Sequence, residues 1–208
     1  MKEIMNDGII HAIVMVNNWG NDDEILKIIK NNNHIISIFH IMGRHSYLLD
    51  ANFDDKKQLS AWINQMKSIM LPSGVPAITS IQTQRIIEVH KRKKEFTLEQ
   101  YLNMKEKKHF FVQIDCPSYV KGFLDLLKKS QIVHSIIHIQ GENSFTLEAV
   151  TEDYSDYKKL LKKIKKLKNI KHIETQEVIS VLKYRNQIFD EARGFSYQKD
   201  DIRMLYSF

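Results

Sequence analysis

The sequence predicts an α+β protein made of two consecutive βαββαβ units, and three observations support this prediction. The stretch HIMGRHSYLLDA at residues 40–51 returns as HIQGENSFTLEA at residues 138–149. Within each copy, short runs with strand periodicity alternate with runs of helical periodicity. The chain has 208 residues, a length that accommodates two domains of about 100 residues each.

The repeat extends beyond the quoted stretch. Eight of the 15 residues at 37–51 are identical to their counterparts at 135–149, a displacement of 98. Beyond the loop Leu71–Pro76 the displacement is 92, so Ile78 and Val89 correspond to Ile170 and Val181. Self-similarity of this kind indicates an internal duplication whose two copies differ at that loop.

Periodicity assigns each element of the first copy in order. Residues 12–16 are a β-branched run typical of a strand, and residues 24–30 have helical spacing after a cap at Asn21 or Asp22. Residues 35–42 and 46–52 read as two strands joined at Gly43. Residues 57–70 are predicted to form an amphipathic helix and residues 78–89 the last strand. This order is the ferredoxin-like arrangement, a four-stranded antiparallel sheet with two helices on one face.

The predicted domains are residues 9–91 and 108–186. Residues 92–107 form a basic linker in which Thr97 and Gln100 have capping-box spacing, so we expect part of it to be helical. Residues 187–208 are rich in aromatic side chains, and we expect this tail to pack on its own chain or on a neighbouring one.

Composition narrows the functional classes. The chain has 43% hydrophobic and 27% charged residues, values typical of a folded globular protein. No apolar run approaches the roughly 20 residues of a membrane helix, and the first residues do not resemble a signal peptide. We therefore expect a cytoplasmic protein without membrane contact. The one cysteine, Cys116, excludes an internal disulfide.

The strands before the repeated glycines carry a histidine on one face. Phe39 and Ile41 alternate with His40, and His138 likewise lies between two isoleucines. We expect the uniformly apolar set to pack on the helices. The histidine-bearing set is then predicted to face a second sheet, because it is too apolar to remain in water.

The run from Ala12 to Lys91, with its strand–Gly43–strand core and its Leu71–Val75 loop, resembles the effector-binding domain of the Lrp/AsnC regulators. The second copy resembles that domain less closely. The resemblance implies a dimeric α/β barrel formed by pairing sheet to sheet, and a homodimer or higher homo-oligomer. It also implies a small-molecule effector, commonly an amino acid, bound around a Gly-x-x-Asp turn at subunit contacts.

The sequence departs from that family in two places. The position of the turn aspartate is taken by Ser46 and by Ser144, and a neutral hydroxyl cannot anchor a ligand ammonium as a carboxylate does. Regulators of the family begin with a helix-turn-helix, whereas here the first predicted strand starts at about residue 10. We therefore expect no direct DNA binding.

Candidate ligand-binding residues cluster at the two turns. A turn glycine needs positive φ, and turn N–H groups can also hold an anion. Arg44 favours an anionic ligand in the first copy, while Glu142 opposes one in the second. The predicted ligand-binding residues are His40, Gly43, Arg44, Ser46, His138, Gly141 and Ser144.

The two histidines leave several roles open. An imidazole on such a face usually fills an interface, and it also suits ligand contact, metal binding or acid–base chemistry. No carboxylate lies at a spacing that forms a metal or catalytic motif with His40 or His138. We therefore predict no catalytic residue, no metal, no cofactor and no enzymatic activity.

The leading functional hypothesis is a regulatory, ligand-sensing protein that binds an amino acid or other carboxylate and acts through oligomerisation or a protein partner. An alternative is a dimeric α/β barrel enzyme or tetrapyrrole-binding protein that uses His40 or His138. A further alternative is binding of nucleic acid or an acidic partner by a lysine-rich helix. The exposed lysines proposed for that surface are Lys158, Lys159, Lys162, Lys163 and Lys166.

Overall fold

The computed structural model describes residues 8–20, 22–92, 107–116, 121–185 and 187–188. Nearly all of the predicted linker and tail lie outside these ranges, so the predicted linker helix and the packing of the tail stay predictions. Within the described residues, no helix has the length and apolar character needed to span a membrane.

Each half of the chain has the predicted βαββαβ order. The first unit consists of β1 (Ile10–Asn18), α1 (Asp22–Lys30), β2 (Ile35–Met42), β3 (Tyr47–Phe53), α2 (Lys56–Lys67) and β4 (Ile78–Arg92). The second unit consists of β5 (Lys108–Asp115), α3 (Lys121–Lys129), β6 (Val133–Gln140), β7 (Phe145–Thr151), α4 (Tyr154–Lys165) and β8 (His172–Tyr184). A two-residue strand, β9 (Gln187–Ile188), pairs with the end of β8.

Local sequence explains where the helices begin. Asp55 precedes α2 in an extended conformation, and its side chain accepts a hydrogen bond from the Gln58 backbone N–H at 2.8 Å. Asp153 caps α4 in the same way through the N–H of Ser155. A cap of this kind satisfies one of the backbone donors that a helix start leaves unpaired.

The two units close one barrel within a single chain. The sheet order is β2-β3-β1-β4-β6-β7-β5-β8, and β2 pairs again with β8. The two joints between the units are therefore the antiparallel pairs β4–β6 and β2–β8. Because β4 and β8 are the longest strands, each extends beyond its own sheet to pair with the other unit. Closure leaves the eight-stranded sheet without free edges.

The buried residues form three cores. One lies between the sheet and helices of the first unit and contains Ile25, Phe53 and Trp62. A second lies in the same place in the second unit and contains Phe123 and Tyr157. The third fills the middle of the barrel with side chains from both units. Its members are Ile13, Met15, Phe39, Ile41, Leu48, Ile86, Phe111, Ile137, Ile139, Val150, Val178 and Val181.

Two lysines hold the units together at the joints. Lys183, at the end of β8, donates to the carbonyls of Lys30 and Asn32 at the C-terminal end of α1, at 3.3 and 3.0 Å. Lys91, at the equivalent position of β4, donates to the carbonyls of Lys128 and Ser130 after α3, at 3.1 and 2.8 Å. Each unit thus supplies a cation to the negative end of a helix in the other unit.

The predicted assignment of the two sheet faces is wrong. Phe39 and Ile41 line the barrel interior, whereas Ile38 packs beneath the helices of the first unit, on the face that also carries His40. The same inversion holds for His138. Alternation separated the two sets of side chains correctly, but both faces of this sheet are covered. Periodicity alone therefore could not tell which set meets the helices.

Candidate functional site

The two repeated turns meet at one end of the barrel. Arg44, in the turn between β2 and β3, lies 3.8 Å from Glu142, in the turn between β6 and β7, and 3.9 Å from Glu174 of β8. The Arg44 and Glu142 side chains are mostly exposed, so their ion pair contributes little stability. In the sequence, Arg44 in one copy and Glu142 in the other suggested two different ligand sites. In the structure the two residues lie on either side of one site.

Close approach explains both turn glycines, whereas positive φ explains one of them. Gly43 has φ +155°, and Gly141 is not among the residues of positive φ. A Cβ at Gly43 would lie 3.2 Å from Cγ of Gln176 and 3.3 Å from the Thr175 carbonyl. A Cβ at Gly141 would lie 3.1 Å from Cγ of Gln84. Each turn therefore rests against the last strand of the other unit.

The two predicted turn serines anchor the turns. Ser46 Oγ donates to Oδ1 of Asn17 at the end of β1, at 3.2 Å. Ser144 Oγ lies 3.4 Å from Oδ1 of Asp115 and accepts a hydrogen bond from the backbone N–H of Cys116 at 3.1 Å. These equivalent bonds give both serines a structural role at the rim of the candidate site.

Below the turns lies a group of buried amides that sequence reasoning did not single out. Gln84, Gln113 and Gln176 are fully buried. Gln113 Oε1 accepts from the Thr146 hydroxyl at 3.0 Å, and Gln176 Nε2 lies 3.2 Å from Oε1 of Glu174. Within these three glutamines, four amide atoms have no hydrogen-bond partner among the described residues: both polar atoms of Gln84, Nε2 of Gln113 and Oε1 of Gln176. Buried polar groups normally have hydrogen-bond partners, so these unpartnered atoms make this group a candidate ligand-binding site.

His45 is the buried imidazole of this group. It is 5% exposed, and its Nδ1 lies 3.0 Å from Nε2 of Gln176 and 4.0 Å from Oε1 of Glu174. Burial lowers the pKa of His45, and the nearby Glu174 carboxylate opposes that shift. Since the Gln176 amide is a donor at this distance, it selects the neutral tautomer that carries its proton on Nε2. We call Arg44, His45, Gln84, Gln113, Glu174 and Gln176 the amide site.

The sequence did contain a signal for His45. His45 lies between the predicted residues Arg44 and Ser46. Its counterpart in the second copy is Asn143, so a search for residues that occur in both copies does not find it. Asn143 is also buried. The glutamines could be found only as polar residues within otherwise apolar strand faces.

The opposite end of the barrel carries two half-buried carboxylates in equivalent positions. Glu148 of β7 lies 3.0 Å from Nε2 of His109 and accepts from the Ser135 hydroxyl at 3.1 Å. Burial alone would raise the pKa of Glu148, but the bonds from His109 and Ser135 outweigh it and leave that pKa lowered. Asp50 of β3 has its pKa raised by burial, which the charge of Arg92 opposes only in part. The serine bonds to the carboxylate and not to the imidazole, so this trio differs from a nucleophilic triad.

The predicted histidines lie between the sheet and the helices, away from the amide site. His40 stacks on Tyr47 at a centroid distance of 5.2 Å, and His138 stacks on Phe145 at 5.0 Å. Burial lowers the pKa of His40, while the charge of Asp22 opposes the shift. The structure therefore does not bring these two histidines together with the turn residues.

The lysines proposed for a nucleic-acid or acidic partner lie on the outer face of α4. Lys158, Lys159, Lys162 and Lys163 are exposed, as is Lys166 just after the helix. Lys159 is paired with Asp156 at 2.8 Å, and Lys158 lies over the ring of Tyr154.

Comparison with known proteins finds one family match. Residues 109–188 match the Lrp/AsnC ligand binding domain. This is the second unit, although the first was expected to resemble the family more closely. No curated protein matches the sequence.

Several solved structures have a similar fold. A protein from Fusobacterium nucleatum described as a "Putative monooxygenase" is 12% identical, with a TM-score of 0.50 over 90% of this chain and all of that one. Chlorite dismutase from Candidatus Nitrospira defluvii is 9% identical, with a TM-score of 0.49 over 84% of this chain and 92% of that one. An anthrone oxidase-like protein is 12% identical, with a TM-score of 0.46 over 85% and 93%.

These comparisons correct one prediction and support two others. The expectation that the chain is not an enzyme is contradicted, because the Fusobacterium nucleatum protein that shares its fold is described as a monooxygenase. At such low identity, the similarity to the Fusobacterium nucleatum protein establishes the fold alone. The predicted α+β, ferredoxin-like barrel is confirmed. Residues 109–188 are thus similar to the Lrp/AsnC ligand binding domain, within a chain whose two units close one barrel.

Proposed function

We propose that this protein binds a small polar molecule, an amino acid or another carboxylate, at the amide site. The observation that supports this most directly is the set of fully buried glutamine atoms without partners among the described residues. A buried amide without partners costs about 1–3 kcal/mol. A ligand that supplies donors and acceptors would remove that cost.

The charges around the site suggest how such a ligand is oriented. Arg44 is the exposed cation at the entrance and can pair with a carboxylate, while Glu142 and Glu174 can receive an ammonium. These two carboxylates would take the role of the turn aspartate, whose position is occupied by Ser46 and Ser144 in this chain. The family match of the second unit agrees with a ligand-sensing role. In that role the protein would act through assembly with further copies or with a protein partner.

Two variants test the proposal. His45→Asn introduces the residue found at the equivalent position, Asn143, so the fold should tolerate it. Gln84→Leu removes two unpaired buried atoms, and we expect it to stabilise the ligand-free protein by about 1–2 kcal/mol while weakening ligand binding. His40→Asn is the control, because His40 lies outside the amide site.

The experiment begins with native mass spectrometry of gently purified protein, compared with the denatured chain. A panel of L-amino acids and small carboxylates is then screened by thermal shift and calorimetry. We expect a ligand that binds wild type and His40→Asn alike, and at least about tenfold more weakly to the two site variants. The proposal is refuted if neither method finds a ligand, or if all four proteins bind it equally.

An enzyme acting on the molecule bound at this site is the second candidate function, and the environment of His45 favours it. A neutral buried imidazole with a carboxylate 4.0 Å away is suited to general acid–base chemistry. The fold is shared with a protein described as a monooxygenase, which agrees with this candidate. If the bound ligand is transformed, loss of turnover in His45→Asn with retained affinity would support it. Unchanged turnover in that variant would exclude His45 as the acid–base group.

The tetrapyrrole alternative does not fit the described residues. A flat cofactor ligated by His40 or His138 would need the space between a sheet and its helices. Tyr47 and Phe145, each 2% exposed, occupy that space and stack directly on the two imidazoles. We therefore assign no role to such a cofactor.

A further inference from the structure

Two histidines and a glutamate meet at the joint between β4 and β6, on the outer face of the barrel. Glu88 and His90 belong to β4, and His138 belongs to β6, where it is the register partner of Glu88. One donor atom from each of the three lies within 4.8 Å of the other two. The Glu88 carboxylate is 3.5 Å from Nδ1 of His90, and the rings of His90 and His138 are nearly parallel at 6.0 Å.

We propose that Glu88, His90 and His138 bind a divalent first-row transition-metal ion such as Zn²⁺. Two imidazoles and one carboxylate are a ligand set that such ions prefer. Ligands about 2.1 Å from a tetrahedral ion lie about 3.4 Å from one another. The observed donor atoms lie within 4.8 Å of one another, so binding would draw some of them closer by about 1 Å. This joint site is on the opposite face of β4 from the amide site, so it is independent of the proposed function.

The backbone explains how the three side chains come to share one face. The register of the β4–β6 pair shifts between Ile86 and Glu88 and again between Val89 and Lys91. Each shift inserts an extra residue, and the second one is His90. Val89 packs against the barrel interior, so Glu88 and His90 on either side of it point outward.

The other joint provides an internal comparison. There, β2 pairs with β8, and His40 is the register partner of Ser180. The residue equivalent to His90 is Leu182, which is buried in the core of the first unit. His40 therefore has neither a carboxylate nor a second imidazole at the equivalent positions. Only one of the two joints therefore brings two imidazoles and a carboxylate together among the described residues.

The surroundings suit a bound ion with an open position. Phe145 packs against the rings of both His90 and His138 and limits their rotation. The Glu88 side chain is 33% exposed, so the site is reachable from solvent. Three protein ligands leave at least one coordination position for water or another molecule, as in catalytic rather than purely structural sites. The ion would also link the two units across their joint.

The test measures Zn²⁺ binding to the full chain after treatment with a chelator. Isothermal titration calorimetry with ZnCl₂ gives affinity and stoichiometry, and the visible absorption of added Co²⁺ reports its coordination. The site variants are His138→Asn and His90→Leu, the latter placing at one joint the residue found at the other. His40→Asn is the matched control, because it removes the equivalent histidine at the joint without metal ligands.

We expect one Zn²⁺ per chain in wild type and in His40→Asn, with affinity lowered by about 100-fold or more in the two site variants. Saturating Zn²⁺ should raise the Tm of wild type and of the control by about 5 °C and leave the site variants unchanged. Circular dichroism checks that each variant is folded. If His138→Asn does not fold, His90→Leu decides the question. Absence of Zn²⁺ binding in wild type, or equal affinity in all folded proteins, would overturn the proposal.

Discussion

Lys183 provides the most demanding test of how the two units are joined. It is 3% exposed and donates to two carbonyls beyond its own unit, those of Lys30 and Asn32. Burial lowers the pKa of Lys183, so part of the gain from these bonds is offset by desolvation. Lys183→Met keeps most of the aliphatic stem and removes the charge and both hydrogen bonds.

Bonds from a charged donor contribute about 1.5–3 kcal/mol each, and the favourable helix end adds less than about 1 kcal/mol. After the desolvation offset, we expect Lys183→Met to lower the free energy of unfolding by about 2 kcal/mol. Lys91→Met should cost about 1 kcal/mol, because the equivalent bonds of Lys91 are more exposed. With a urea m-value of about 2.5 kcal/mol/M, the midpoint for Lys183→Met falls by roughly 0.8 M.

Urea unfolding followed by circular dichroism measures these differences. Lys165→Met, at an exposed position of α4, is the control and should leave the midpoint unchanged within error. A Lys183→Met protein as stable as wild type would refute the idea that β8 holds α1 through this cation. Equal losses for Lys183→Met and Lys165→Met would refute it as well.

Three further predictions concern other positions. Asp50 has a raised pKa, so its charge costs stability above that pKa; Asp50→Asn should therefore stabilise the protein near pH 7. The opposite holds for Glu148: its lowered pKa means that the ionised carboxylate stabilises the fold, and this stability is lost as pH falls through that pKa. Glu148→Gln should therefore destabilise the protein near pH 7. Urea midpoints that changed in the same direction in both variants between pH 3 and 7 would contradict these opposite effects. Gly43→Ala should cost about 2–3 kcal/mol and Gly141→Ala about 1 kcal/mol. Gly43 has a positive φ and its Cβ would lie 3.3 Å from a backbone carbonyl, whereas the nearest backbone atom to a Cβ at Gly141 is 3.6 Å away. Equal losses in thermal unfolding would exclude that explanation. Tyr157→Phe removes the 2.8 Å hydrogen bond to Thr175 and should lower stability by about 1 kcal/mol, with no change in ligand binding.

Most of the secondary structure was predictable because it depends on local patterns. Residues 35–42 were predicted as a strand and form β2 with the same bounds. The predicted second helix, residues 57–70, ends earlier, at Lys67. Ser68 makes a tight last turn there, with its backbone N–H shared among three carbonyls. Boundaries of this kind depend on a single turn and are less evident in periodicity than the elements themselves.

The candidate sites were predictable only in part. Arg44 was identified from its place in the repeated turn, and the structure brings it to the amide site. His45 was missed because the second copy has Asn143 in its place, and repetition was the criterion. His138 was identified as a versatile imidazole, but its neighbours Glu88 and His90 belong to the other copy and are distant in sequence. No spacing rule could have joined them.

What the sequence determined by itself is the repeat, the βαββαβ order of each unit and the resemblance to the Lrp/AsnC domain. These follow from periodicity and self-similarity, which are properties of neighbouring residues along the chain. The tertiary structure decided which face of each sheet turns inward, that the two units close one barrel, and which side chains meet at the joints. Those outcomes depend on the pairs β4–β6 and β2–β8. Strand pairing is set by the burial of whole sheet faces and not by local preference. The pairs between the units therefore could not be predicted from either copy alone.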